Sequence, residues 1–322
     1  MSNLTPIEPI TQISHRIIRI LGQNPGRFTL QGTNTYLVGN SSPYVLIDTG
    51  EGKSAYLPLL ISSLGPEGSI SDIIITHMHK DHWGGLAGVL GLLTKQGKPK
   101  PKIWKWKNPE TDAAIVKSVP EGSYEPSEGS EVIHFLANNQ IFTLGETILK
   151  VIHTPGHTED SICLQMDDGS IFTADSVLGE STAVFGHLRP YLDSLRQLSS
   201  LSPTSLYPGH GIVILNGLKT LEDYITHRQI REDQIMSLLQ RQPSGPEQGT
   251  RLPGAWESKS KNKGEGGWSV EELVLEMYAD VGFVLQNAAA RGVILHLEKL
   301  LDEGKIKKHN RTKNEEEWVL AH

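Results

Sequence analysis

The stretch Asp72 to Gly85, DIIITHMHKDHWGG, joins two demands that few folds meet together. Ile73, Ile74 and Ile75 form a short apolar run of the kind that fills a buried strand. Immediately after it come His77, His79, Asp81 and His82. A buried polar group without a partner costs free energy, so this strand must end where other parts of the chain meet these four side chains. That requires a rigid sheet with polar groups gathered at its strand ends.

Short apolar runs and turn signals alternate through the first part of the chain. RIIRIL (16–21), TYLVG (35–39), YVLIDTG (44–50) and DIIIT (72–76) read as strands. AYLPLLISSL (55–64) and GGLAGVLGLLTKQG (84–97) read as helices, the first with Pro58 in its opening turn. The segment 107–131 has no clear pattern and is expected to be loop. Strands resume at TILKVIHT (147–154), SICLQM (161–166) and SIFTAD (170–175), the last two joined by the hairpin signal DDG. A helix is expected near 189–200, a strand at 205–207 and a long helix at 216–241. Strands with interspersed helices in two similar halves predict an α/β protein, two sheets with helices outside. Residues 242–267 are rich in Gly, Pro, Ser and Lys and read as a linker or insertion. From 268 to 322 the pattern is helix, helix, then a basic two-strand wing, resembling a winged helix.

Composition narrows the class. One cysteine, Cys163, allows no internal disulfide and no thiolate metal site, and fits a reducing compartment. No run of 18 apolar residues exists, and the first residues resemble neither a signal nor a transit peptide. The expected setting is cytoplasmic, with a mitochondrial one as the alternative, and no membrane partner. A net charge of −7 argues against duplex nucleic acid as the main partner.

In an extended segment His77 and His79 point to one side, and a turn after them can aim Asp81 and His82 at a second point nearby. Neutral imidazole and carboxylate are good zinc ligands, and two metals can clamp one water between them. The rest of the chain supplies what this half-site lacks: His157 in TPGHTEDS, Asp175 in FTADS and His210 in YPGHG, each just past a strand. Asp48 in LIDTG occupies a fourth such junction. The other eight histidines (15, 134, 153, 187, 227, 296, 309, 322) are expected to be non-ligands, His153 pointing away despite its closeness to His157.

This ordered set resembles the metallo-β-lactamase superfamily over residues 15–240. The resemblance implies an αββα sandwich with a C-terminal winged-helix-like domain, divided as 1–241, linker 242–267 and 268–322. It implies two zinc ions per chain, one held by His77, His79 and His157, the other by Asp81, His82 and His210. Asp175 would bridge them, Asp48 would orient the ligands, and Asp81 would also orient the nucleophile. Asp175 stands where antibiotic-opening members carry a cysteine, and His79 where the di-iron flavoproteins carry a glutamate. Only 34 residues separate Asp175 from His210, too few for the inserted domain of the mRNA-cleaving branch.

ILGQNPGRFTLQGTNTYLVG (20–39), GESTAVF (179–185), YITHRQIRE (224–232) and the tail resemble the β-lactamase-like protein 2 subfamily. That resemblance implies a hydrolase working through a metal-bridging hydroxide, with one of two substrates. Fungal members release an aromatic polyketide of the atrochrysone carboxylic acid type from an acyl carrier protein; the animal member is a mitochondrial single-strand endoribonuclease. The style of GRFTLQGTNTYLVG and DTGEGK favours the fungal thioesterases. The basic run KIKKHNRTK (305–313) reads first as a solvated wing, because the tail holds ten acids against seven bases. A catalytically silent scaffold is the third reading, and the complete ligand set argues against it.

Overall fold

A computed structural model describes residues 4–129, 131–241, 267–279, 283–312 and 315–321. The chain forms two compact units, 1–222 and 223–322. Among the described residues no helix is long and apolar enough to cross a membrane.

The first unit holds two sheets. The larger runs in order β1 (Ile10–Ser14), β2 (Ile17–Leu21), β3 (Asn34–Val38), β4 (Tyr44–Ile47), β5 (Ile70–Ile75), β6 (Lys102–Lys105) and β7 (Ile133–Phe135). Strands β1 to β4 are antiparallel, and β4 to β7 are parallel. The second sheet runs β12 (Leu206–Pro208), β11 (Ile171–Ala174), β10 (Ile162–Met166), β9 (Thr147–His153) and β8 (Ile141–Leu144). There β11 and β12 are parallel and the other neighbours antiparallel.

Alternation along each strand builds two cores. Leu46, Ile73 and Ile75 pack with Leu60 of α1 (Tyr56–Leu64) and with Leu86, Val89 and Leu90 of α3 (Leu86–Lys95). Val45, Ile47 and Ile74 face the other way, onto Leu149, Val151, Leu164 and Phe172 of the second sheet. Both faces of β5 are therefore buried, which is why its sequence is a continuous apolar run rather than an alternation. Between β5 and α3 lies the single turn α2 (Lys80–Trp83).

The segment expected to be loop at 107–131 contains α4 (Pro109–Ser118). Its apolar face is short, so periodicity does not show it. Its start is nonetheless written in the sequence: Asn108 caps Thr111 N–H, Pro109 opens the helix, and Glu110 and Asp112 sit in the first turn. Strands β1, β6, β7 and β8 also went unforeseen. Helix α5 (Leu188–Ser200) follows the second sheet's β11.

The second unit contains α7 (Val270–Met277), α8 (Phe283–Asp302) and the hairpin β13 (Ile306–Thr312) and β14 (Glu315–Leu320), the helix–helix–wing order expected. A capping box between Ser269 and Glu272 starts α7. Its core joins Leu273, Val274, Val293, Leu297, Leu300, Ile306 and Trp318 with Ile235, Leu238 and Leu239 from the end of α6 (Gly217–Leu239). By compactness the chain divides within α6, at 222/223. A helix crosses a domain boundary without any local signal, because only burial distinguishes its two ends. The expected linker at 242–267 lies outside the described residues up to 266. Gly267 already belongs to the second unit, donating to Glu317 Oε2 at 2.9 Å.

Candidate metal centre

Topology brings the predicted residues to one edge. Strands β4 and β5 are parallel, so Asp48 and His77 leave the larger sheet at the same end. Strands β9, β11 and β12 share a direction, so His157, Asp175 and His210 follow the same end of the second sheet. His79 to His82 enter through α2.

Two groups of side chains result: His77, His79, His157 and Asp175, and Asp81, His82 and His210. Within each, the candidate ligand atoms lie within 4.8 Å of one another. Asp175 faces both. Its Oδ2 lies 3.9 Å from His77 Nε2 and 3.6 Å from His157 Nε2, while its Oδ1 lies 3.4 Å from His82 Nε2 and from His210 Nε2. Asp81 Oδ2 closes the second group, 3.2 Å from His210 Nε2 and 3.4 Å from His82 Nε2.

Hydrogen-bond partners behind the rings set the tautomers. His157 Nδ1 donates to Val184 O at 2.6 Å, and His210 Nδ1 to Gly32 O at 3.3 Å. His82 Nδ1 donates to Asp48 Oδ2 at 2.6 Å. Thr76 Oγ1 donates to the same carboxylate oxygen at 2.8 Å, so it accepts from His77 Nδ1 at 3.0 Å. Asp48 holds Thr76 N–H as well, and is buried with φ at +60°. The lone pairs on Nε2 of His77, His82, His157 and His210 are left facing inward.

These atoms cannot satisfy one another. His77 Nε2 and His157 Nε2 lie 3.0 and 2.9 Å from His79 Nδ1. A hydrogen on His79 Nδ1 serves one of them; an electropositive ion serves all three. Among the described residues His82 Nε2 and Asp175 Oδ1 are buried with no hydrogen-bond partner. Such buried orphans demand an explanation, and a cation supplies it. The residues present fit a dinuclear metal site.

The electrostatics agree. Burial pushes the His77 imidazole well below its ordinary range, with His82 adding repulsion, so it is neutral and free to ligate. Burial also disfavours charge on His82 and His210, but Asp175 outweighs it and raises both, His210 to about 9. Burial likewise opposes ionised Asp81 and Asp175, and the two histidines beside them more than compensate, holding both carboxyls well below the usual range. Cations binding here displace the protons on His82 and His210.

Space is fixed as tightly as charge. A Cβ on Gly209 would lie 2.5 Å from Asp175 Oδ1 and 2.9 Å from His82 Cε1. A Cβ on Gly156, in the turn before His157, would meet the Tyr191 backbone of α5 at 2.3 Å. The residues that sequence reasoning missed are these glycines and the second rank of hydroxyls: Thr76 and Thr33, whose Oγ1 donates to Asp81 Oδ2 at 3.0 Å. His153 points away as expected, stacked on Trp106 with ring centroids 3.9 Å apart. Among the described residues the remaining histidines join neither group.

The metallo-beta-lactamase superfamily pattern matches residues 28–210, and the beta-lactamase associated winged helix domain matches 269–318. The chain belongs to the metallo-beta-lactamase superfamily. It is a metal-dependent hydrolase of that superfamily, carrying the associated winged helix. It is 36% identical to a beta-lactamase-like protein 2 homolog of Drosophila melanogaster over 94% of this chain and 93% of that one. It is 32% identical to an atrochrysone carboxyl ACP thioesterase of Cryptosporiopsis sp. over 97% of this chain and 87% of that one. A beta-lactamase domain protein of Burkholderia ambifaria shares the fold, with a TM-score of 0.72 at 14% identity over 99% of this chain and 96% of that chain.

Proposed function

We propose that the chain is a dinuclear zinc thioesterase that releases an aromatic polyketide, of the atrochrysone carboxylic acid type, from an acyl carrier protein. The hydrolase core of this reading rests on the inward lone pairs of the two histidine groups. The substrate rests on the thioesterase relative that matches 97% of the chain.

The residues that would hold the first zinc are His77, His79 and His157. Asp81, His82 and His210 would hold the second, with Asp175 between them. A zinc pair in such a site lowers the pKa of bound water and polarises the carbonyl under attack. The protein's own part is positioning. The Asp81 carboxylate accepts a hydrogen bond from the attacking water and aims its lone pair at the acyl carbon. Asp48 keeps His82 and His77 in the ligating tautomer.

Two loops brace the histidines through backbone carbonyls, and both present apolar side chains to solvent. Phe28, 75% exposed, lies on the loop whose Gly32 O holds His210; Val184, 57% exposed, carries the carbonyl that holds His157. Such surfaces suit a flat apolar acyl group. Within the wing's basic run, Lys305 pairs with Glu232 and Glu303, and Lys308 with Glu316. Two cations of the run are thus already paired with carboxylates. The second reading, hydrolysis of single-stranded RNA, follows from the sequence resemblance to the beta-lactamase-like protein 2 group, whose fly homologue shares 36% identity.

The test is a paired assay. An acyl-carrier-protein thioester and a single-stranded RNA are each given to the wild type and to Asp81→Ala. Thioester hydrolysis that vanishes in the variant is the expected result. RNA cleavage alone overturns the substrate, and full activity in Asp81→Ala with metal bound overturns the role of Asp81.

A further inference from the structure

Lys105 is charged, lies at the end of β6, and is fully buried. Its Nζ donates to Asp160 Oδ2 at 2.6 Å and to Trp106 O at 2.9 Å, and lies 3.1 Å from Asp112 Oδ1. The last contact is an ion pair without hydrogen-bond alignment, since Asp112 Oδ1 has no hydrogen-bond partner among the described residues. Asp160 is itself buried. An ion pair so far from water needs a reason beyond stability, because apolar residues of similar size would fill the space as well.

The other oxygen of Asp160 supplies the reason. Asp160 Oδ1 accepts from Thr158 Oγ1 at 2.7 Å and from Met78 N–H at 3.3 Å. Met78 stands between His77 and His79, and Thr158 follows His157. One carboxylate thus ties the peptide shared by two histidines of the first group to the residue beside the third. The two segments are 82 and 2 residues from Asp160 along the chain, so no local geometry holds them together. Thr158 is fixed further by Ser161, whose Oγ accepts Thr158 N–H at 3.1 Å. Among the described residues no side chain of the second group hydrogen-bonds to this pair; its one tie to the Met78 segment is His82 N–H on His79 O at 3.0 Å. Its Asp81 is held by Thr33, its His82 by Asp48 and its His210 by Gly32 O.

We propose that Asp160, neutralised by Lys105, is a positioning residue for one of the two metals: it sets the spacing of His77, His79 and His157 and leaves the other metal to separate supports. This rests on the dinuclear zinc reading. Partners behind the ligands typically change metal affinity by about 10–100-fold, and here the change is confined to one site.

The test compares two double variants of the full chain, Lys105→Met/Asp160→Asn and Lys105→Met/Asp160→Ala. Both remove the Lys105–Asp160 pair and leave Asp112 without its cation to the same extent, so they differ only in that the first keeps an oxygen above Met78 N–H and Thr158 Oγ1. Zinc affinity is measured by competition with a chromophoric chelator, giving two stepwise constants. The Ala version is expected to weaken one constant by about tenfold or more and leave the other within about threefold. The Asn version is expected to keep both within about threefold. Thr33→Val, which removes the hydroxyl that holds Asp81 and accepts from Asn24 Nδ2, added to the Ala version is expected to weaken the second constant too. Equal zinc binding by the Asn and Ala versions, or an equal loss at both sites in the Ala version, overturns the proposal. A wild type that binds no zinc overturns the metal reading itself, whereas a two-zinc wild type matched by the Ala version overturns only the role of Asp160.

Discussion

Two buried clusters, one in each unit, handle charge in opposite ways. In the second, Lys299 Nζ lies 2.6 Å from Glu232 Oε2 and 2.8 Å from Glu303 Oε1, and Lys305 closes the network at 3.3 and 2.7 Å from the same acids. Each charge there has an opposite charge at hand. In the first unit, His82 Nε2 and Asp175 Oδ1 are buried with no hydrogen bond, and the histidine lone pairs face one another. A closed network belongs to the fold; an open one is shaped for a ligand the chain does not itself provide. Buried polar groups alone do not mark a site, and single unsatisfied atoms such as His296 Nδ1 occur elsewhere. What marks this one is that several imidazoles and carboxylates converge and still do not satisfy each other.

Asp81→Ala should open the largest gap between the units. Turnover should fall on the order of 10³-fold or more, as expected when a group in the reacting centre is lost, while the melting of the second unit is unchanged. Kinetics at saturating zinc with parallel calorimetry would show this. Glu232→Ala should do the reverse. It leaves Lys299 buried without its closest partner, which costs about 3–5 kcal/mol. Urea unfolding should show that loss, with zinc stoichiometry retained in folded protein.

Gly209→Ala tests how rigid the open network is. Its new methyl group cannot fit beside Asp175 and His82 without moving them, and zinc affinity should drop about 10–100-fold. Chelator competition would measure it. The smallest effect concerns pH. Burial, with Arg228, Lys299, Arg231 and His227 nearby, pushes the His296 imidazole down to about 3. The unfolded chain therefore takes up a proton near pH 6.5 that the folded unit refuses. The stability of the second unit should be full above pH 6.5 and fall as pH drops toward 3, by about 2 kcal/mol at pH 5. Hydrogen exchange of α8 amides across this range would follow it, and His296→Phe should flatten the slope.

Much of the site was legible because ligand chemistry is written in residue type. Histidines and aspartates that sit one or two positions past apolar runs have few structural uses, so His77, His79, Asp81, His82, His157, Asp175 and His210 stood out, and the structure brings all seven together. Their supports did not stand out. Thr33, Thr76 and Asp160 are ordinary polar residues whose partners lie up to 82 residues away. Lys105 carried a faint signal, a charge on the β6 face that also bears Ile103, where an apolar residue belonged. Helix α4 was missed for a weak apolar face despite its capping residues.

The sequence by itself determined the two-sheet class, the winged tail and the kinds of atoms that gather at the strand ends. These follow from hydrophobic period and residue chemistry, which are local. Only the tertiary structure decided which lone pairs face inward, because a ring's tautomer depends on the carbonyl or carboxylate behind it. It also decided that Asp175 turns one oxygen to each group, and that Asp160 joins two distant loops through Met78 and Thr158. Such relations are set by packing across the chain, and no stretch of sequence contains both ends of them.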